Sequence, residues 1–242
     1  MAIGERLYEG KAKIIYKTDD PDVLLAQYKD DATAFNAQKR GQIVGKGRMN
    51  CSIATHLFQK LESSGIQTHF IDQPNETQMR MKAVKIVPLE VVVRNIAAGS
   101  LCQQTGLELG TELKEPLVDF YYKDDDLGDP FLSRARILMM EIASSDQIDQ
   151  LATLALEINR ILIDFFQECG ITLVDFKLEF GIDSNGKLLL ADEISPDTCR
   201  LWNQAESDPN RRVMDKDRFR RDLGEVEAAY AQVMERVLSQ PI

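Results

Sequence analysis

At 242 residues, with 44% hydrophobic and 28% charged side chains, the chain is large enough for one big domain or two lobes and is ordinary in composition for a globular protein. Lys and Arg number 29 against 39 Asp and Glu, a net charge of −10 that argues against nucleic acid or an anionic membrane as partner and leaves any bound polyanion dependent on locally placed basic residues. The four cysteines, Cys51, Cys102, Cys169 and Cys199, stand far apart with no CxxC pair, which fits a reducing cytoplasm and argues against zinc; no apolar run has the length of a membrane span or the position of a secretory leader.

From the start, Tyr8 to Tyr16 reads as a strand, a tight turn at Gly10 and a second strand. Small residues at Gly10 and Ala12 let backbone amides approach an anion, and Lys11 and Lys13 add charge; an exposed hairpin with solubilising lysines is the alternative. Val23 to Tyr28 reads as a strand and Lys29 to Asn36 as a loop. A helix is expected from Gly47 to Ser63, with Met49, Ile53, Leu57 and Leu61 on one stripe and Gly65 as its stop. His56 and His69 lack partners at metal-ligand spacing and read as packing or surface histidines. Met81–Val87 and Leu89–Asn95 read as strands divided by Pro88, the second ending on Arg94. Ser100 then follows a run of small residues and opens a helix whose N-terminal amides favour an anion, so Arg94 and Ser100 either form a phosphate cradle or flank an ordinary capped helix.

Phe120–Lys123 reads as a short strand and Asp124–Pro130 as an acid-rich loop, in which Asp129 is expected to be held extended by the following proline. Asp146 to Glu168 is the clearest helix: Ile148, Leu151, Ala155, Ile158, Leu162 and Phe165 recur at three and four, and Gly170 ends it. In Val174–Phe180 apolar and charged residues alternate, putting Val174, Phe176, Leu178 and Phe180 on one face and Asp175, Lys177 and Glu179 on the other. The turn Asp183–Gly186 returns the chain along Lys187–Glu193 and brings Asp192 near Lys177 and Glu179, provided the register does not slip by one. Charges on such a hairpin are either solvated or gathered around a hard cation and phosphate. The apolar run Leu188–Ala191 suggests cover on both faces, where charges need partners. Glu206–Arg212 reads as a polar, mobile loop, and Lys216–Leu238 as one last helix carrying Phe219, Leu223, Val226, Tyr230, Val233 and Val237.

Five segments together resemble the SAICAR synthetase family (phosphoribosylaminoimidazole-succinocarboxamide synthases): GKAK at 10–13, VVVRNIAAGS at 91–100, VDFKLEFG at 174–181, DEISPDTCRLW at 192–202 and MDKDRFR at 214–220. They stand in the family's order and cover nearly the whole chain. The sequence departs from the family pattern at Ala37, where glycine is expected, and at Asn203, where an acid often follows the tryptophan.

The resemblance implies an α+β, two-lobed fold of antiparallel sheets with flanking helices, an N-terminal nucleotide-binding lobe (1–87), a C-terminal substrate- and metal-binding lobe (88–242), and an ATP cleft between them. It implies a ligase that joins L-aspartate to the carboxylate of carboxyaminoimidazole ribotide (CAIR), with ATP and Mg²⁺ as cofactors. By the same analogy Gly10, Lys11, Ala12 and Lys13 grip the ATP phosphates, Met81, Lys82 and Val84 border the adenine, and Lys123 lies near the nucleotide. Glu179 and Asp192 hold the metal, Arg94, Ser100 and Arg200 bind the ribotide phosphate, and Asp129, Asp175 and Lys177 sit near the imidazole, its carboxylate and a second metal. Lys11, Lys13, Asp175 and Lys177 are the expected catalytic set. A cytoplasmic homodimer with small-molecule partners only is expected, although no residue pattern specifies the assembly. A small-molecule kinase and a regulatory nucleotide-binding protein without catalysis are the rival readings; the first offers no reason for the Arg94, Ser100 and Arg200 set, and the second would be signalled by loss of Lys11, Glu179 or Asp192.

Overall fold

A computed structural model of the protein describes residues 4–34 and 38–242. Strands β1 (Arg6–Glu9), β2 (Lys13–Lys17) and β3 (Val23–Tyr28) form the antiparallel run expected of the N-terminal stretch. A small hairpin follows, β4 (Asp31–Ala34) with β5 (Lys39–Gln42), where the sequence reads as a loop. Its inward positions are Ala32 and Ala34, and alanine is a weak strand signal even when buried. Phe35, Asn36 and Ala37, the last a point of departure from the family pattern, lie outside the described residues.

Helix α1 (Lys46–Ser63) buries its predicted stripe of Met49, Ile53, Leu57 and Leu61. Its first turn has no cap of its own, and the Asp30 carboxylate instead accepts the Gly45 and Gly47 N–H groups at 3.0 and 2.8 Å. Strands β6 (Phe70–Asn75) and β7 (Gln78–Lys82) complete a five-stranded sheet of order β1-β2-β3-β7-β6.

The next strand, β8 (Lys85–Ile96), runs through Pro88 and through the expected lobe boundary at residue 87, so the break in the chain falls at Ala83–Val84 instead of at the proline. The register explains why: Glu179 pairs with Glu90 but Gly181 with Ile86, a bulge that takes Pro88 out of the ladder, where its missing N–H costs nothing. Helix α2 (Ser100–Thr105) then leads to β9 (Glu112–Tyr122), much longer than the predicted Phe120–Lys123, followed by β10 (Phe131–Leu132) and helices α3 (Arg134–Met139) and α4 (Ser145–Glu168). The six predicted stripe residues of α4 are all buried, and Ser144 with Gln147 forms a capping box at its start.

Strands β11 (Ile171–Ile182), β12 (Leu188–Ala191) and β13 (Cys199–Asn203) complete a second, six-stranded antiparallel sheet of order β10-β9-β8-β11-β12, with β13 lying beside the first half of β11 on the β12 side. Both faces of β11 and β12 are covered, as their apolar runs imply. Residues 67–69 bond to Leu190 (His69 N–H to Leu190 O 2.8 Å, Leu190 N–H to Gln67 O 3.0 Å) and so tie the segment before β6 to the second sheet. One hydrophobic cluster joins α1, α4 and the inner faces of both sheets.

The last predicted helix is two helices, α5 (Asp217–Arg220) and α6 (Val226–Leu238). Between them Asp222, Gly224 and Glu225 all have positive φ. The buried Arg218 guanidinium collects the Gly224 and Leu223 carbonyls of the break at 2.7 and 3.2 Å, acceptors that an unbroken helix would have bonded internally, and also the Val213 carbonyl ahead of α5 at 3.0 Å. Residues 206–212 are polar as read but fold as successive turns, with Asp208 capping the Asn210 and Arg211 N–H groups and Arg212 stacked 3.6 Å over the Trp202 ring.

Phe176 is 1% exposed on the core face of β11. Phe176→Ala is expected to cost about 3–5 kcal/mol, measured as a lower urea midpoint at unchanged m-value.

Candidate functional site

The outer face of β11 carries Asp175, Lys177 and Glu179, and pairing decides what each meets. Asp175 lies opposite Arg94 of β8 and opposite Arg200 of β13, so three strands present an Arg–Asp–Arg row. One Asp175 oxygen, Oδ2, accepts from Arg94 Nη1 at 3.1 Å and Arg200 Nη1 at 2.7 Å. Two residues on, Lys177 faces Val92; two further, Glu179 lies opposite Glu90, two carboxylates side by side. The Lys177 ammonium spans them, at 2.5 Å from Glu179 and 3.2 Å from Glu90, and reaches Asp192 at 3.1 Å.

Asp192 reaches this cluster by an unusual backbone. Ala191 pairs with Glu179, so in a regular strand the next side chain would face the core. Asp192 instead adopts φ 61°, which turns its carboxylate to the Lys177 side, where Lys13 Nζ also donates at 2.6 Å. Lys13 is itself 3.2 Å from Glu193 and lies over the Tyr28 ring. Burial alone would lower its pKa, but Asp192 and Glu193 outweigh that and hold it well above the ordinary lysine range. Lys177 is raised for the same reason by Asp192, Glu179 and Glu90. Asp192, despite burial, is driven well below the carboxylate range by Lys13 and Lys177. Lys13, Lys177 and Asp192 are therefore all held in their charged forms at neutral pH. Glu90 is the exception in direction, raised by burial and by Glu179.

These groups line one side of a cleft of about 350 Å³. The cleft gathers Gly10, Lys11, Ala12, Lys13, Met81, Lys82, Val84, Lys123, Asp129, Lys177, Glu179 and Asp192, twelve of the residues singled out from sequence. Its far wall is apolar, with Ile15, Leu24, Ala26, Met79, Met81, Val84 and Ile86. Val84 is seated there because Gly181 has no side chain: a Cβ at that position would come within 2.5 Å of Val84 Cγ2. His69 is a wall residue as well, kept neutral by burial and Lys13, which bring it down to about 3. Lys11 sits at the rim, bonded to Asp125 at 2.7 Å, and Lys123 donates to Glu179 at 2.9 Å. Asp129 has a fixed direction but is not extended: its φ is 50°, and its carboxylate and N–H bond back to Asp124 and close the turn, a local demand that overrides the preference set by Pro130.

Arg94, Ser100, Asp175 and Arg200 form a second cluster outside this lining. Arg94 spends four donors on Asp119 (2.9 Å), Asp175, Ser100 Oγ (3.0 Å) and Tyr121 Oη (2.9 Å). The Ser100 hydroxyl thus receives Arg94 and does not cap its helix; Gly99 occupies the cap position. Arg200 donates its Nε to Asp217 at 2.9 Å and lays Nη2 against Gly99, where an added Cβ would stand 2.4 Å from it. Asp175 and Glu179 are four residues apart on one strand, so the two clusters adjoin.

Sequence reasoning missed Glu90, Asp119, Tyr121, Glu193, Asp197, Lys216 and Asp217. Glu90 and Asp119 could have been found from cross-strand register alone, since they stand on the charged face of β8 and β9. Lys46, 1% exposed, pairs with Asp197 at 2.7 Å, and Tyr230 Oη donates to the same carboxylate at 2.8 Å, contacts that only the tertiary fold creates.

Three hard carboxylates sharing one ammonium in a covered cleft suit a hard cation taken up together with phosphate oxygens. Among the described residues no three acids, histidines or cysteines form a ready-made metal shell.

Comparison with known proteins gives a consistent result. A family profile described as SAICAR synthetase matches residues 6–237. A curated protein from Acaryochloris marina named phosphoribosylaminoimidazole-succinocarboxamide synthase is 76% identical over 242 residues, covering 100% of this chain and 99% of its own, and one of the same name from Nostoc is 70% identical, covering 99% and 98%. The crystal structure of the synthase from Ehrlichia chaffeensis superposes with a TM-score of 0.93 at 43% identity, covering 98% of this chain and 100% of that one. A SAICAR synthetase in complex with ADP superposes with a TM-score of 0.91 at 45% identity, covering 97% and 98%.

Gly99 combines φ 55° with the Arg200 contact, so Gly99→Ala strains the backbone and displaces the guanidinium. A loss of about 2–4 kcal/mol in urea unfolding is expected, larger than for Gly65→Ala, where φ 94° also strains the backbone but the added Cβ meets nothing within 4 Å.

Proposed function

The chain belongs to the SAICAR synthetase family, and we infer that its cleft joins L-aspartate to the carboxylate of CAIR in purine biosynthesis, consuming ATP and releasing ADP and phosphate. A carboxylate does not accept an amine directly, because oxide would have to leave. We propose that a CAIR carboxylate oxygen first attacks the γ-phosphorus of ATP, expelling ADP and forming an acyl phosphate. The neutral amine of aspartate then attacks the carbonyl carbon, the C–O bond to phosphate breaks, and a proton leaves the new amide nitrogen. No nucleophilic side chain is needed; positioning and electrostatics carry the reaction.

The apolar wall of Met81, Val84, Ile86 and Leu24 receives the adenine, with Lys82 beside it. Lys11 and Lys13, on either side of Ala12 and next to Gly10, hold the phosphates, and Lys123 lies on the nucleotide side of Glu179. Glu179 and Asp192 hold Mg²⁺, with Asp129 in the same cleft, and the ion supplies charge neutralisation on the polyphosphate when bound. Lys177 stands among the carboxylates next to the transferring group. Arg200, with its free Nη2, and Ser100 receive the ribotide phosphate, while Arg94, its donors largely spent, orients them through Asp175. The division expected at 1–87 and 88–242 is proposed as two lobes that both line the cleft, with the chain crossing between them at Ala83–Val84. Four unpaired thiols accord with a cytoplasmic location, and the exposed run Leu138, Met139 and Met140 offers an apolar face to a homodimer.

The observation that carries this reading is the Glu90, Glu179 and Asp192 cluster around Lys177 beside an apolar slot. ADP and the succinocarboxamide product are expected only when ATP, Mg²⁺, CAIR and L-aspartate are all present. Glu179→Gln and Asp192→Asn are expected to lose at least about 100-fold in kcat while retaining the native circular dichroism spectrum. Aspartate-independent ADP release by the wild type would point to a kinase instead.

A further inference from the structure

The cleft contains six lysines, and five of them are engaged. Lys11 is paired with Asp125, Lys13 with Asp192 and Glu193, Lys123 with Glu179, and Lys177 with three acids, while Lys82 donates to the Thr68 carbonyl at 3.3 Å. Lys216 is different. Among the described residues its ammonium makes no hydrogen bond and has no carboxylate oxygen within 4.0 Å, yet it lines the same cleft. The opposite charge that acts on it most strongly, Asp197, is already committed to Lys46 at 2.7 Å and Tyr230 at 2.8 Å. A lysine desolvated without a close partner is a cost to the fold, and such costs cluster where a ligand supplies what is missing.

Its place in the chain says which ligand. The Lys216 backbone N–H donates to the Pro196 carbonyl at 3.0 Å, next to Asp197 on the phosphate side of the cleft. The following residue, Asp217, clamps Arg200 at 2.9 Å and Arg220 at 2.6 Å on the other cluster. Lys216 therefore stands at the junction of the Lys13, Asp192 and Glu193 group with the Arg200 row, where a third reactant has to enter to meet a carboxylate activated between them. That reactant is a small dicarboxylate bearing an amine. We propose that Lys216 is the receptor for a carboxylate of the aspartate substrate, a role that rests on the ligase reading above. Arg220 and Lys46 surround it with further positive charge, and burial together with these two cations pulls its ammonium below the ordinary lysine range despite Asp197 and Glu193. An entering carboxylate relieves both costs.

Three steady-state titrations on Lys216→Met, Lys216→Arg and the wild type test this. Lys216→Met is expected to raise KM for aspartate by about 10–100-fold while KM for ATP and for CAIR stays within about 2-fold, and Lys216→Arg is expected to retain part of the aspartate affinity. Without substrates, the Tm of Lys216→Met is expected to equal or exceed that of the wild type, since an unpaired charge is removed. A comparable rise in KM for ATP or CAIR, an unchanged KM for aspartate, or a Tm lowered by several degrees would overturn the assignment. A wild-type enzyme that releases ADP without aspartate would instead defeat the ligase reading itself, so the two failures are distinguishable.

Discussion

Glu90 and Glu179 lie directly opposite one another on neighbouring, covered strands, and this pairing of like charges is the constraint around which the site is built. Two carboxylates about 5 Å apart repel by about 3 kcal/mol at an effective dielectric near 20, so a buried pair of this kind cannot stand alone. Lys177, one strand position away on the same face, supplies the counter-charge, and Asp192 and Lys13 extend the arrangement into an alternating lattice of acids and bases. Such a lattice adds little to net stability, because desolvation offsets most of the Coulomb gain. Its value is preorganisation: oxygens and ammonium groups already stand where phosphate and a cation have to be met.

The same strand carries a second cluster, built on guanidinium groups. Asp175 holds Arg94 and Arg200 in a row, with Asp119 and Asp217 as their further partners, while two acids face each other at Glu90 and Glu179. The guanidinium cluster suits an anionic substrate and the carboxylate cluster suits a metal with polyphosphate, and β11 fixes the distance between them. A ligase that must bring a ribotide carboxylate up to a γ-phosphate needs such a spacing, held by a rigid central strand instead of by loops. Gly99 and Gly181 contribute by absence: each leaves room for one side chain, Arg200 and Val84, to lie against backbone.

What was legible in the sequence is what depends on period and local chemistry. The alternation in 174–180, the turn at 183–186 and the stripe of α4 appear in the fold as read, and the quoted motifs led to the family. The misreadings each have a non-local cause. Pro88 did not end its strand because a bulge against β11 removes it from the ladder, and no property of residues 85–96 alone announces that. The last helix breaks where Arg218 draws the Leu223 and Gly224 carbonyls outward and Asp222, Gly224 and Glu225 take positive φ. Asp192 reaches its partners through a left-handed backbone that a regular hairpin would not provide, so its proximity to Lys177 was anticipated for the wrong geometric reason. Glu90 and Lys216 went unnoticed because each gains meaning only from the strand or cluster set beside it.

Lys177 balances acids which a divalent cation would otherwise share. The most direct test is the thermal midpoint of the wild type and of Lys177→Gln, each with and without Mg²⁺. The metal-free variant is expected to be less stable than the wild type, because Glu90, Glu179 and Asp192 lose their common ammonium. Mg²⁺ is expected to raise the variant's midpoint by more than it raises that of the wild type. A variant as stable as the wild type without metal and indifferent to Mg²⁺ would remove Lys177 from that role.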